Sequence, residues 1–201
     1  MPDRSVRQIR TCAAGFHTRE DDGPVICGYF AVFNSNYEWW PGEYEQVAPG
    51  AFSDCLNGDV RALADHVSLL VLGRTTAGTL TLREDEHGLY GEIRINERDS
   101  DAMNLYARVQ RGDVTQCSFG FDIVDEEYIK NPDGSCFWLI RKVVLYEVSV
   151  VTFPAYTETS VEARKHDYKE LKERRDERWR RQMKERLKRG NQNHFAQKET
   201  G

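Results

Sequence analysis

Several features are missing from this sequence of 201 residues, and each absence closes a class of function. No apolar run approaches the roughly 20 residues that a membrane-spanning helix needs. The first residues are polar, with Arg4, Arg7 and Arg10 and no apolar stretch behind them, so nothing there reads as a secretory leader. A soluble, intracellular protein is the expectation. There is no C-x-x-C pair: the five cysteines, Cys12, Cys27, Cys55, Cys117 and Cys136, are odd in number and irregularly spaced. That pattern suggests neither a structural zinc site nor a disulfide framework, and predicts buried free thiols. No cofactor is expected. No recognised nucleic-acid motif is present either.

What is present is an uneven charge. The whole chain carries a formal net charge of −5, yet residues 164–201 hold 14 Lys and Arg against 7 Asp and Glu, a net +7, which leaves −12 for residues 1–163. The body is long enough for one domain with a real core. Residues 164–201 read as a basic helical tail, disordered at its end, in which Trp179, Met183 and Leu187 trace a narrow apolar stripe. Such a stripe buries too little to fold alone and suggests a partner helix.

Within the body, β-formers dominate. Val25–Phe33 reads as a strand, and Gly78–Arg83 and Leu89–Ile95 as two strands joined by a hairpin through Gly88. Residues 38–45, with Trp39 and Trp40, read as an aromatic, acidic loop, and Ser53–Leu56 as a short helix. The clearest helix runs from Ser100 as N-cap to Gly112, with Met103, Tyr106 and Val109 at helical spacing.

Three stretches carry candidate chemistry. In Arg111–Phe121, Phe119 and Phe121 alternate with small residues, so Ser118 lies on a strand, with Gly120 leaving room beside it for a substrate backbone. Cys117 and Ser118 are neighbours, so only one can face a common partner, and Ser118 is the candidate nucleophile. His66 lies between Val60–Asp65 and the apolar run Leu69–Leu72. Glu147 is the one charged residue in the β-former run Val143–Tyr156, either on a solvated face or buried and paired. Histidine, serine and carboxylate on three strands have the composition of an acyl-transfer site. His17 and His87 are weak substitutes as the imidazole's partner, and Arg74 and Arg111 are candidate charged helpers.

Four motifs stand in order: Glu45–Phe52, Asp65-His66-Val67 with Leu72-Gly73-Arg74, Arg111–Phe121, and Leu145–Tyr156. Together they resemble the prohead (capsid maturation) serine proteases of tailed phages, distant relatives of the herpesvirus assemblins, over about residues 5–164. The resemblance implies a mainly β fold with flanking helices, built as a compact antiparallel β-barrel of the assemblin type. It also implies a serine endopeptidase whose catalytic positions are His66, Ser118 and Glu147. The expected domains are the protease, 1–163, and the tail, 164–201. Expected partners are the major capsid protein with its scaffolding segment, the portal, and the enzyme itself through autoprocessing or self-association, inside the assembling prohead in the host cytoplasm. The sequence departs from the family pattern in reading Asp65-His66-Val67 where Asn-His-Asp is usual, and Cys117 where Met often precedes the serine. A non-catalytic capsid assembly or scaffolding protein is the alternative. Nucleic-acid binding is disfavoured because the tail interleaves acids with its bases and the body is acidic.

Overall fold

A computed structural model describes residues 4, 7–12, 16–20, 23–40, 43–132, 135–153 and 184. The chain divides into two compact units, Met1–Ala155 and Tyr156–Gly201, and every described residue except Lys184 belongs to the first. The expected tail helix and its disordered end lie outside the described residues, Lys184 apart.

Strands dominate the first unit. In chain order they are β1 (Gln8–Cys12), β2 (His17–Glu20), β3 (Pro24–Val32), β4 (Tyr37–Trp40), β5 (Glu43–Val47), β6 (Arg61–Ala64), β7 (Val67–Arg74), β8 (Leu80–Glu84), β9 (Gly88–Arg94), β10 (Gln116–Lys130) and β11 (Cys136–Val151). A short 3-10 turn, Thr75–Ala77, follows β7, and an α-helix, α1 (Ser100–Arg111), falls between β9 and β10. Its cap is one residue earlier than expected: the Asp99 carboxylate accepts from the N–H groups of Asp101 and Ala102 at 3.0 and 3.4 Å. Gly112 closes it in the left-handed region, at φ 86°. The short helix expected at Ser53–Leu56 is instead a run of turns.

The mainly β expectation holds, but the closed barrel does not. Two open sheets form: one of seven strands, with backbone order β1-β10-β11-β5-β4 and β6 and β7 attached, and one of four strands, β2-β3-β9-β8. Strand β11 prevents a simple antiparallel closure. One of its edges pairs antiparallel with β10 over nearly its whole length, while the other is divided between two parallel partners, β5 along Cys136–Ile140 and β6 along Glu147–Val150. Among the described residues the larger sheet therefore ends at β1, β4 and β7, which do not pair with one another.

The core lies where the inner faces of the two sheets meet. Ile26, Phe30, Leu89 and Ile93 come from the smaller sheet, and Cys117, Phe119, Phe121, Val148 and Val150 from the larger, all at most 2% exposed. The Phe119 and Phe121 rings stack at 4.8 Å, and Phe52 meets Phe119 edge-on at 5.6 Å. Each such side chain contributes roughly 1.5–3 kcal/mol through burial. Three described cysteines, Cys27, Cys117 and Cys136, are buried, and Cys55 is half-buried.

Residues 38–45 are not a loop, because β4 pairs antiparallel with β5. The acidic character that suggested a loop belongs partly to Glu45, which is 2% exposed and neutralised within the protein. Its carboxylate accepts from the guanidinium of Arg10 on β1 and from Arg4 Nη1 at 2.8 Å, and Arg4 also binds Glu126 on β10. Buried charges of opposite sign thus tie β1 to β5, and Arg4 joins β5 to β10.

One irregularity in β11 decides which side chains reach each face. Gly120 faces Glu147 and Phe121 faces Leu145, so Tyr146 is an extra residue with no partner of its own in the ladder. Val143 and Leu145 lie in the core on one side of this bulge, and Val148 and Val150 on the other. Glu147 and Ser149 consequently share the opposite face with Ser118 and Gly120.

Candidate active site

His66 sits at the tip of the β6–β7 hairpin. Ala64 pairs with Val67, leaving Asp65 and His66 as a two-residue turn, with φ 47° and 59°. Two successive positive φ values are those of a type I′ turn, which aspartate and histidine tolerate better than most side chains. The turn is fastened to the end of β11: Asp65 N–H donates to the Val150 carbonyl at 2.9 Å, and the Asp65 carboxylate accepts the Thr152 N–H at 2.7 Å and its hydroxyl at 3.2 Å. The base of the hairpin is fastened too. Arg74 grips Asp59 with a bidentate pair at 2.6 and 2.7 Å, and Arg61 adds a contact at 3.1 Å. The Arg74 hydrogen bond, supported by the charges of Arg61 and Arg74, holds the Asp59 carboxyl well below the usual carboxylate range.

Glu147 reaches the imidazole from β11. Its Oε1 lies 2.5 Å from His66 Nδ1, and its Oε2 accepts the Ser149 hydroxyl at 2.6 Å. The His66 and Glu147 side chains are 7% and 12% exposed, so the carboxylate is buried and paired rather than solvated. Gly120 lies beneath it. A Cβ there would come within 2.5 Å of Glu147 Oε1 and 3.1 Å of its Cγ and Cδ. The space beside Ser118 that the sequence reserves for a substrate backbone is thus filled by the glutamate.

Ser118 stands on β10 directly across from Ser149, fully buried, and its hydroxyl donates to the Arg10 carbonyl at 2.8 Å. Cys117 points the other way, into the core, with its Sγ 2.9 Å from the Tyr29 carbonyl. His66 Nε2 is buried and has no hydrogen-bond partner among the described residues, and the Ser118 hydroxyl is bonded to the Arg10 carbonyl rather than to it. A neutral imidazole that donates Nδ1–H to Glu147 keeps its lone pair on Nε2, the form that a general base requires.

The remaining candidates lie elsewhere. His17 is exposed at the start of β2, and His87 is exposed with its ring edge-on to Tyr29 at 4.4 Å. Arg74 is committed to Asp59 and Arg111 to Asp113. Among the described residues no three His, Cys, Asp or Glu side chains are grouped to hold a metal ion. Sequence reasoning missed Ser149, although the i, i+2 spacing from Glu147 along a strand places the two on one face. It also missed the Asp65–Thr152 link, for which nothing local gives a signal.

An imidazole held by a carboxylate, with a strand serine on the sheet face that bears the carboxylate, has the composition of an acyl-transfer centre on a mainly β scaffold. The model of the Caudovirus prohead serine protease family matches residues 13–174, and the chain belongs to that family. It is 32% identical over 141 residues to the prohead protease of Enterobacteria phage HK97, an alignment covering 70% of this chain and 60% of that protein. The chain therefore spans about 60% of the length of that relative. No solved structure matches.

Proposed function

We propose that this chain is the serine endopeptidase of phage capsid maturation, with Ser118 as nucleophile, His66 as general base and acid, and Glu147 as the residue that orients His66. The observation that carries this reading is the His66–Glu147 contact on the sheet face that bears Ser118. In the reaction, Ser118 Oγ attacks the scissile carbonyl carbon while its proton passes to His66 Nε2. His66 then protonates the departing amine, leaving an acyl-enzyme. Water attacks the ester, giving its proton to His66, and the carboxylic product leaves as the Ser118 hydroxyl is restored. Glu147 holds Nδ1–H throughout and stabilises the imidazolium. For the first step the Ser118 hydroxyl must turn from the Arg10 carbonyl to His66.

The substrates in this reading are the scaffolding segment of the major capsid protein and the enzyme itself, cut within the prohead. Co-expression with the capsid protein encoded nearby tests it. Wild type should yield shortened capsid protein by mass and Ser118→Ala only the full-length form. Equal cleavage by both would overturn the assignment.

A further inference from the structure

Glu147 has more freedom than its role allows. Its terminal torsion is broad and nearly two-fold, so a carboxylate held by one oxygen can swing out of the imidazole plane or exchange oxygens. The fold makes room for it on one side and restrains it on another. Gly120 leaves the floor open, and a Cβ there would collide with Oε1. The restraint is a hydroxyl: Ser149 Oγ, fully buried, donates to Oε2 at 2.6 Å while Oε1 meets His66 Nδ1 at 2.5 Å. Arg61, the residue paired with Glu147 across β6, does not compete, since its guanidinium contacts Asp59.

We infer that Ser149 is a positioning residue of the catalytic apparatus, fixing the carboxylate of Glu147 so that one oxygen stays on His66 Nδ1. The inference rests on the triad reading above. Ser149 does not touch the reacting atoms, since its proton is on Oε2 and it faces Ser118 only across the strand pair. It acts through Glu147. Because both partners come from one strand two residues apart, the restraint on Oε2 is built into β11 itself.

The test uses the full chain and two readouts. One is the rate at which a fluorophosphonate labels Ser118, which needs no knowledge of the cleavage sequence. The other is the deshielded proton resonance of His66 Nδ1–H in the NMR spectrum. Ser149→Ala should slow labelling by roughly 10²-fold, as expected for a small misplacement of a catalytic group, and should shift or broaden the resonance. Ser149→Thr, which keeps the hydroxyl, should restore both. If Ser149→Ala labels at the wild-type rate with an unchanged resonance, the inference is wrong. Loss of thermal stability with both readouts unchanged would give Ser149 a purely structural role and likewise overturn it. Should Ser149→Ala fail to fold, Ser149→Cys, close in size and a weak donor, takes its place with the same outcomes. If wild type is not labelled, or Ser118→Ala is labelled equally, the triad reading fails instead, and the resonance alone decides whether Ser149 holds Glu147 on His66.

Discussion

Asp65 holds Thr152 by both its backbone N–H and its hydroxyl, at 2.7 and 3.2 Å, joining the turn that carries His66 to the end of the strand that carries Glu147. Replacing the aspartate separates two effects. Asp65→Gly keeps the positive φ but removes the acceptors, so Ser118 labelling should fall by roughly tenfold to 10²-fold while the fold persists. Asp65→Ala keeps the backbone strain, about 1–3 kcal/mol, that glycine relieves, and should melt earlier than Asp65→Gly. Labelling at the wild-type rate in Asp65→Gly would show that the link is dispensable.

Gly120→Ala places a methyl group where the Glu147 carboxylate lies. The variant should fold, since the site face lies across the sheet from the core, and should lose activity by roughly 10²-fold or more as Glu147 is pushed off His66. Full activity in a folded variant would mean that the carboxylate has another resting place.

Glu147→Gln keeps the shape and removes the charge. If Glu147 orients His66, turnover should drop by roughly 10⁴-fold with little change in KM, as in chymotrypsin-like triads given the same change. A near-normal kcat would assign the role to another group.

Cys117 and Ser118 are adjacent and point in opposite directions, the thiol toward the Tyr29 carbonyl and the hydroxyl toward that of Arg10. Cys117→Ala should keep most activity and cost roughly 1 kcal/mol of stability. Ser118→Ala should abolish activity and keep the fold. Circular dichroism melts with capsid-protein cleavage assays separate the two, and the reverse pattern would make the thiol the nucleophile.

The Asp59–Arg74 pair predicts an acid-sensitive hairpin. Asp59 has a folded-state pKa below its unfolded value of about 3.9. Its stabilisation is therefore present above that value and lost as pH falls through the folded one. Between pH 5 and pH 2 the thermal midpoint of Asp59→Asn should fall less steeply than that of wild type. Parallel curves would show that the pair contributes nothing to acid stability.

The elements legible in the sequence were those whose pattern is local. The β-branched run at Val25–Phe33, the hairpin through Gly88 and the helix ending at Gly112 each follow from short-range geometry. The strand bearing Ser118 was legible for the same reason, its aromatic residues alternating into the core. The rest depends on distant partners. Glu45 reads as a loop residue until Arg10 and Arg4 lie beside it. Counting by twos from Val143 and Leu145 puts Glu147 in the core, and only the extra residue Tyr146 turns it to the other face. Closure into a barrel could not be judged from the strands themselves, because it depends on which edges of β11 are taken by β5 and β6.

Ser118 has no exposed surface, and the His66 side chain is 7% exposed. A hydroxyl that solvent cannot reach cannot meet a peptide bond either, so each turnover in the proposed reaction begins with a local opening. The observed rate is then the product of two quantities, the fraction of molecules open and the speed of chemistry within them. Whatever favours the open form would then speed the proposed cleavage without changing the proposed catalytic groups.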